Sequence, residues 1–422
     1  MNKIVSALTK LSLVFFSYQL SSAEADILKS ERLGELHLYK PKQKAEQVAI
    51  QFSDLDGWNS DNENLALELQ KHQIFVIGVD SKKYLASLLA DSEDCLYLAG
   101  EIERLGQSAE KAAGIDTYIS PVLIGEKNGA KFVRKIIGQY ASVFAGGAAI
   151  AEPQEEIKAH FCAAEYPEDN IQVFPSVHDE KNLFSPQSLQ EVISFIKKSS
   201  KKMVLDREVK LPAEIADFPL IELLPEIYGD DYFVFFLSGD GGWATIDKEI
   251  GQYLFAKEVP VIGFNSLKYF WKKKEKVRIA SDISKIVSFY VSKNKFKKVV
   301  FIGFSMGADV LSGVYNSLSD EIKSKTKKII LLSPAKSVDF EVHISSWIGY
   351  DDVTDDMMLL PEVLKIHEDQ LQCIYGVEDT ADSLCVDLPQ KYKNILKMSG
   401  DHHYDGEYEK VSEQILSFIK EK

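Results

Sequence analysis

The stretch that decides the fold reads Val299-Val300-Phe301-Ile302-Gly303-Phe304-Ser305-Met306-Gly307 and continues into Ala308-Asp309-Val310-Leu311. Its first four residues are apolar and predict a buried strand, and its last four are compatible with a helix. A serine hydroxyl is a poor nucleophile at neutral pH, so enzymes lift it out of the sheet on a strained turn between such a strand and helix. The pattern therefore predicts a nucleophile elbow with Ser305 at its tip; a plain glycine-rich turn is the alternative.

A candidate acid follows Ser305 in the chain order Ser, Asp or Glu, His that is typical of α/β-hydrolases. Residues 371–376 read as a buried strand, and three carboxylates lie in the loop behind it. We expect Asp379, three residues past the last glycine of that strand, to accept the imidazole N–H and to stabilise the imidazolium formed during attack. Glu378 and Asp382 are the alternatives.

The candidate base lies in the last loop of the chain. Residues 394–398 predict a strand that ends in Ser399-Gly400-Asp401-His402-His403, ahead of a terminal helix predicted over residues 407–421. Either histidine can serve as the general base. Paired histidines also occur in zinc sites, but no further ligand stands at a zinc-like spacing, so we predict no metal and no other cofactor.

An oxyanion hole needs backbone N–H groups beside the nucleophile, and we expect Met306 to supply one. The apolar run 232–237 predicts an earlier strand, which ends in the glycine-rich segment Ser238-Gly239-Asp240-Gly241-Gly242-Trp243. We expect the amide of Asp240 or Gly241 to supply the second donor. The Asp240 carboxylate would attract a cationic substrate group or cap the following helix.

The same design appears twice in the chain. Residues 51–58 match residues 236–243, and residues 77–84 match residues 262–269 at the same offset of 185, without a gap. Coincidence is a poor explanation for two ungapped matches at one offset. The sequence therefore predicts two related domains.

The first copy lacks the nucleophile. When its glycines are aligned with those of the elbow, Lys127 takes the place of Ser305. An ungapped alignment that begins at Asn170 places His178 on His402, which favours His402 as the base over the histidine beside it. A lysine ammonium cannot replace the hydroxyl in this mechanism, so we predict that the first copy is a degenerate, inactive hydrolase-like domain.

The length of 422 residues suits two domains better than one. We predict a first domain over residues 26–200, a linker over 201–217 and a catalytic domain over 218–422. Short apolar strands alternate with polar-faced helices in both units, which favours largely parallel sheets covered on both sides. The predicted fold class is α/β, as tandem α/β-hydrolase-like domains with the C-terminal copy catalytic.

Residues 1–25 have the features of a secretory signal peptide. Lys3 and Lys10 precede or interrupt an apolar stretch over residues 11–20, and cleavage is expected after Ala23 or Ala25. An uncleaved anchor is the alternative, although the apolar stretch is too short to span a bilayer. The signal peptide therefore predicts that the protein is exported.

Export permits disulfides, and the four cysteines fall two per predicted domain. A bond between Cys373 and Cys385 would close a short loop around the candidate acid and make it rigid. Cys95 and Cys162 form the remaining pair, although nothing local brings these two positions together.

The formal net charge of −15 argues against nucleic acid as a partner and against electrostatic binding to anionic lipid. It suits a cationic substrate. The lysine-rich run 272–276, beside the aromatic residues 269–271, is a local exception. It reads as a solvated helix start or, alternatively, as a segment that touches a membrane surface.

With these motifs the chain resembles the VirJ/AcvB proteins of bacteria, which are exported serine hydrolases. The resemblance covers the whole mature chain in the longer, AcvB-like form and is strongest in the second half. It rests on residues 238–243, 303–310, 333–334, 339–343, 347, 373–376, 383–385 and 400–403. The chain departs from the family pattern around residues 271–276, where a turn containing Thr-Pro is expected.

The resemblance implies a periplasmic enzyme that hydrolyses lysyl-phosphatidylglycerol, an aminoacylated phospholipid, and a link to virulence or to type IV secretion proteins. It also places a cap over about residues 335–368, after the sixth strand of the fold. His343 and Trp347 would then line the substrate entrance or belong to the core of the cap.

The residue chemistry by itself predicts hydrolysis of an acyl ester, including a small ester, and the lipid comes from the resemblance. Ser305 would attack the carbonyl and His402 would protonate the departing glycerol oxygen. The two positive charges of a lysyl ester would match acidic groups such as Asp240 or Asp309. Two alternatives stay open: a general exported esterase or thioesterase, and a non-enzymatic adaptor for type IV secretion.

Overall fold

The computed structural model describes residues 26–30, 32–91, 95–164, 170–175, 185–205, 212–213, 215–226, 231–294, 296–341 and 357–421. Within these residues each half of the chain builds one seven-stranded sheet. The strands of the first half are β1 Asp26–Ser30, β2 Gly34–Tyr39, β3 Gln47–Phe52, β4 Ile74–Val79, β5 Val122–Glu126, β6 Gly146–Ile150 and β7 Ile171–Phe174. Those of the second half are β8 Leu220–Leu223, β9 Tyr232–Leu237, β10 Val261–Phe264, β11 Lys298–Phe304, β12 Thr326–Leu332, β13 Ser337–Val338, β14 Met357–Met358, β15 Leu371–Gly376 and β16 Ile395–Met398.

Helices connect the strands in both halves. In the first half they are α1 Ser60–Lys71, α2 Ser81–Leu89, α3 Ala99–Ala112, α4 Asn128–Gln139 and α5 Pro186–Leu205. In the second half they are α6 Thr245–Ala256, α7 Ser266–Tyr269, α8 Lys276–Asn294, α9 Met306–Val314, α10 Asp320–Lys325, α11 Leu360–Val363 and α12 Tyr408–Lys420. Because α5 continues to Leu205, the first residues of the predicted linker belong to a helix.

The second sheet has the strand order β16-β15-β12-β11-β9-β10-β8 and is parallel except for β8. Every residue of β9 is buried. Phe233 and Phe235 belong to one buried cluster, whereas Val234 and Phe236 belong to another. Since alternate residues of a strand point to opposite faces, both faces of this sheet carry a core. The predicted α/β-hydrolase-like fold is confirmed.

The first sheet has the order β1-β2-β4-β3-β5-β6-β7, and β2 is antiparallel to both of its neighbours, β1 and β4, whereas the other neighbouring pairs are parallel. From β2 to β6 this order repeats the series β8, β10, β9, β11 and β12 of the second sheet. In both sheets one antiparallel strand sits at the same edge of the parallel set. The two halves therefore share a topology as well as sequence motifs.

Side-chain packing repeats at the predicted offset. A Cβ added at Gly78 would lie 2.2 Å from the Trp58 ring, and one at Gly263 would lie 2.5 Å from the Trp243 ring. Because each glycine has no side chain, Gly78 on β4 makes room for Trp58, which follows β3, and Gly263 on β10 makes room for Trp243, which follows β9. This shared packing accounts for the paired Gly and Trp positions in the sequence repeat.

The histidine alignment does not follow the strand order. β7 pairs directly with β6, which is the place that β15 takes beside β12. His402 follows β16, at the outer edge of its sheet. His178 lies outside the described residues. The alignment of His178 with His402 is therefore no guide to the base, because the two segments occupy different places in their sheets.

Both predicted disulfides are present. Cys373 and Cys385 are bonded with a Cα–Cα distance of 5.6 Å, and Cys95 and Cys162 with 4.8 Å. The second pair is brought together by a short parallel bridge between Leu96 and Phe161, which joins segments far apart in the chain.

The candidate signal peptide, residues 1–25, lies outside the described residues. Among the helices that are described, none combines the length and the apolar character needed to cross a bilayer. The predicted cap region follows β12, the fifth strand of its sheet in chain order, and contains β13, β14 and α11 in its described part.

We expect Gly263→Ala to lower the free energy of unfolding by about 1–3 kcal/mol, because its Cβ would overlap the buried Trp243 ring. Gly241→Ala is the control, since a Cβ there meets nothing within 4 Å. Equilibrium unfolding in urea measures both. Equal stability of the two variants would contradict the role given to this packing.

Candidate active site

Ser305 lies between the end of β11 and the start of α9, with φ 50° and ψ −123°. A residue with a side chain seldom adopts a positive φ, so this turn is strained. A Cβ at Gly307 would lie 2.2 Å from the Leu237 carbonyl oxygen, and one at Gly303 would lie 2.4 Å from the Gly307 carbonyl oxygen. Both glycines are therefore needed for the turn to pack against β9.

The first half keeps the same turn. Lys127 has φ 48° and ψ −117°, and Gly125 and Gly129 make the same close backbone approaches. The Lys127 ammonium lies 3.7 Å from the Asp54 carboxylate. The first copy thus retains the strained backbone of an elbow but carries an ion-paired lysine at its tip.

Asp379 and His402 lie in the loops that follow β15 and β16. These strands are parallel neighbours, so their carboxyl ends bring both loops to one edge of the sheet. His402 Nδ1 lies 2.6 Å from Asp379 Oδ2. The alternatives Glu378 and Asp382 are exposed, and in the described part of the chain neither bonds to a histidine ring.

His403 is placed differently from its neighbour. Its ring lies 5.4 Å from the Phe304 ring and 5.7 Å from the His402 ring, and its backbone N–H donates to Asp401. Among the described residues no carboxylate accepts a hydrogen bond from the His403 ring. The structure therefore pairs His402, and not His403, with an acid.

Two residues that we did not assign from the sequence hold the His402 loop. The Ser333 hydroxyl donates to the His402 carbonyl oxygen at 3.1 Å and contacts the Tyr404 hydroxyl at 2.8 Å. Tyr404 is fully buried, its hydroxyl donates to the Ile374 carbonyl oxygen, and burial raises its pKa above the usual value. The loop is therefore tied to β12 and β15. Ser333 belongs to the Ser-Pro pair at residues 333–334 that the family resemblance includes, but no local sequence pattern predicts that it contacts Tyr404.

The glycine-rich segment after β9 lies against the elbow. The Gly242 N–H donates to the Gly239 carbonyl oxygen, which closes a tight turn, and a Cβ at Gly239 would lie 3.6 Å from Ser305 Cβ. Met306 begins α9, so its N–H is one of those that find no partner inside the helix. The backbone beside Ser305 can thus present donors to a reacting carbonyl.

Asp309 does not line the cavity at Ser305. Its carboxylate is buried and accepts the Ala335 N–H at 2.7 Å, and burial raises its pKa well above the usual value. It holds the start of the segment after β12 and does not meet the substrate space. His343 and Trp347 lie outside the described residues.

A cavity of about 630 Å³ opens at Ser305. Asp240, Gly241, His402 and His403 line it from the second half of the chain. The first half supplies the opposite part of the lining, through Tyr97, Gly100, Glu103, Arg104, Gln107, Gln139 and Tyr140. This contribution could not be predicted from the sequence, because no local pattern identifies a residue that faces another domain.

The two halves are joined by contacts around Trp271, which is buried. Its Nε1–H donates to the Ile115 carbonyl oxygen at 2.8 Å, and its ring lies 5.4 Å from the Tyr118 ring. Lys272 pairs with Asp116. The aromatic residues beside the lysine run are therefore buried inside the molecule, while Lys272 and Lys273 are exposed. The interpretation that the run touches a membrane surface stays a prediction.

Two further contacts join the halves. The Tyr140 hydroxyl, which lies beside the cavity, accepts the Thr245 N–H at 2.5 Å. Lys111 Nζ lies 3.1 Å from Glu341 Oε1. The first contact holds the end of α4 beside the start of α6, and the second holds the end of α3 beside the segment that follows β13.

Across the described residues, no group of three or more His, Cys, Asp or Glu side chains has the arrangement to hold a metal ion.

Residues 231–422 match the family model of the bacterial virulence protein VirJ. Among curated proteins, none matches this sequence. Solved structures with a similar fold include Est1E from Butyrivibrio proteoclasticus, with 16% identity, a TM-score of 0.34 and coverage of 48% of this chain and 94% of the other. An α/β serine hydrolase without a lid from Xanthomonas campestris has 12% identity and a TM-score of 0.32, with coverage of 48% of this chain and 87% of the other. The esterase Pf2001 from Pyrococcus furiosus has 16% identity and a TM-score of 0.34, with coverage of 50% of this chain and 94% of the other.

We expect Trp271→Ala to lower the free energy of unfolding by about 3–5 kcal/mol, because it removes a buried aromatic ring at the junction of the halves. Val277→Ala serves as the control, since Val277 is 78% exposed in the same segment. Calorimetric or urea unfolding gives the comparison. A Trp271 variant as stable as the control would mean that the junction contributes little.

Proposed function

We propose that the second half is a serine hydrolase that cleaves an acyl ester through an acyl-enzyme, with Ser305, His402 and Asp379 as its triad. The observation that carries the proposal is the 2.6 Å contact between His402 Nδ1 and Asp379 Oδ2, at the rim of the cavity that the strained Ser305 turn also lines. The match of residues 231–422 to the VirJ family supports it.

The roles follow from the atoms involved. A proton held between Nδ1 and Asp379 leaves the other ring nitrogen of His402 as the base for the Ser305 hydroxyl. In the described structure these two groups line one cavity but are not hydrogen-bonded, and catalytic contacts of this kind commonly tighten when substrate binds. The N–H of Met306 and that of Asp240 or Gly241 would hold the oxyanion.

The turnover divides into two steps. Ser305 Oγ forms a bond to the ester carbonyl while His402 takes the proton and then gives it to the departing alcohol oxygen. Water, deprotonated by His402, next attacks the acyl carbon, the bond from that carbon to Ser305 Oγ breaks, and His402 returns the proton to Oγ as the acid leaves. No cofactor enters either step.

We propose lysyl-phosphatidylglycerol as the substrate. The resemblance to AcvB-like proteins supports the lipid, and the acidic residues Asp240 and Glu103 in the cavity lining support a cationic acyl group. The two disulfides support an exported location, because such bonds persist in oxidising compartments.

Purified protein should release free lysine from vesicles that contain lysyl-phosphatidylglycerol, and Ser305→Ala should reduce this release by a factor on the order of 10⁶. Lys127→Ala, the matched change in the degenerate elbow, should leave turnover unchanged. Release from a plain acyl ester or thioester but not from the aminoacyl lipid would instead support a general esterase or thioesterase.

We expect Asp379→Asn to lower kcat by about 10⁴-fold, because the amide favours the wrong imidazole tautomer. Asp382→Asn is the control and should have little effect. His402→Ala should be nearly as damaging as Ser305→Ala, and the double variant hardly worse, since members of a triad act as one unit. A more severe loss in His403→Ala would reassign the base.

A further inference from the structure

We propose that the degenerate first domain selects the substrate, with Glu103 on α3 binding a cationic group of the acyl chain inside the catalytic cavity. This inference rests on the proposed ester hydrolysis. It assigns a binding role to a domain that carries no triad, and it places charge recognition and chemistry on different halves of the chain.

The first support is the geometry of α3. Gly100, Glu103, Arg104 and Gln107 all line the cavity, and their spacing of three or four residues places them on one face of the helix. Residues such as Ile102 belong to the core of the first sheet. One helix thus packs its apolar face on its own domain and presents a polar face to the active site of the other.

The second support is that this face is held in place. The hydrogen bond between Tyr140 and Thr245 fixes the cavity wall to the first turn of α6, and Lys111, at the end of α3, pairs with Glu341. The Gln107 side chain donates to Glu103 Oε1 at 3.4 Å. The Glu103 carboxylate is therefore oriented from its own helix while the helix is anchored to the catalytic half.

The third support is the balance of charged side chains that line the cavity. Asp240 and Glu103 are the acids that a cationic group in the cavity can reach, and Arg104 is the basic residue among the described lining residues apart from the histidines. The third acid of the lining, Asp247, is only 2% exposed, and burial raises its pKa well above the usual value. We therefore assign the binding of a cation to Asp240 and Glu103.

The position of each acid indicates which ammonium group of a lysyl ester it would bind. Asp240 follows Gly239, which lies against Ser305, so it is placed for the α-ammonium beside the reacting carbonyl. Glu103 comes from the other domain, across the cavity, and suits the terminal ammonium of the side chain. Recognition of the distal charge is therefore assigned to the first domain.

The test compares L-lysine ethyl ester with L-norleucine ethyl ester, which has the same carbon chain without the terminal ammonium. Glu103→Gln should lower kcat/KM for the lysine ester by about tenfold, mainly through KM, because one charge-assisted hydrogen bond is lost. The norleucine ester should change by less than about twofold. Glu103→Asp, which keeps the charge, should recover part of the selectivity.

Arg104→Gln is the matched control, since it removes a positive charge, instead of a negative one, from the neighbouring residue on the same helix. It should not lower the lysine-to-norleucine ratio. An equal fall in Arg104→Gln and Glu103→Gln, or an unchanged ratio in Glu103→Gln, overturns the proposal while Ser305-dependent hydrolysis still stands. If the unaltered protein shows no Ser305-dependent hydrolysis of either ester, the ester hydrolase itself is overturned, and the selectivity with it.

Discussion

The contact between the backbone of Gly307 and the end of β9 is the constraint on which the candidate site in the second half of the chain depends. A side chain at position 307 would lie within 2.2 Å of the Leu237 carbonyl oxygen, so only glycine lets α9 approach the sheet this closely. That approach holds Ser305 at a positive φ and sets it against Gly239 at the start of the next loop. One steric requirement thus positions Ser305 and the neighbouring backbone N–H groups together.

The remaining groups reach the same place because the sheet is parallel. Asp379 and His402 follow neighbouring strands, and their 2.6 Å contact needs only short loops at the carboxyl edge. Ser333 and Tyr404 then lock the histidine loop to β12 and β15 through buried hydrogen bonds. The active-site geometry is a product of strand order, tightened by a few polar contacts.

Features that a short stretch of sequence encodes by itself could be predicted. The elbow, the strand-end loops and the glycine-tryptophan repeat each have a short-range pattern with one physical meaning, and the structure has each of them. The contribution of Glu103 was missed because an amphipathic helix does not reveal which partner its polar face meets. Asp309 was misjudged for a related reason: its burial under Ala335 depends on a loop that is distant in the chain. The histidine alignment gives no structural support for His402, because β7 takes the place of β15 whereas His402 follows β16.

The burial of Trp271 has a consequence for the independence of the two halves. The second half covers this ring with Ile115 and Tyr118 of the first half. Deleting the first half would expose that apolar surface to water, at a cost of roughly 25 cal/mol for each Å². A domain that has lysine where the other has the elbow serine can thus still be indispensable, because its neighbour depends on its surface for stability.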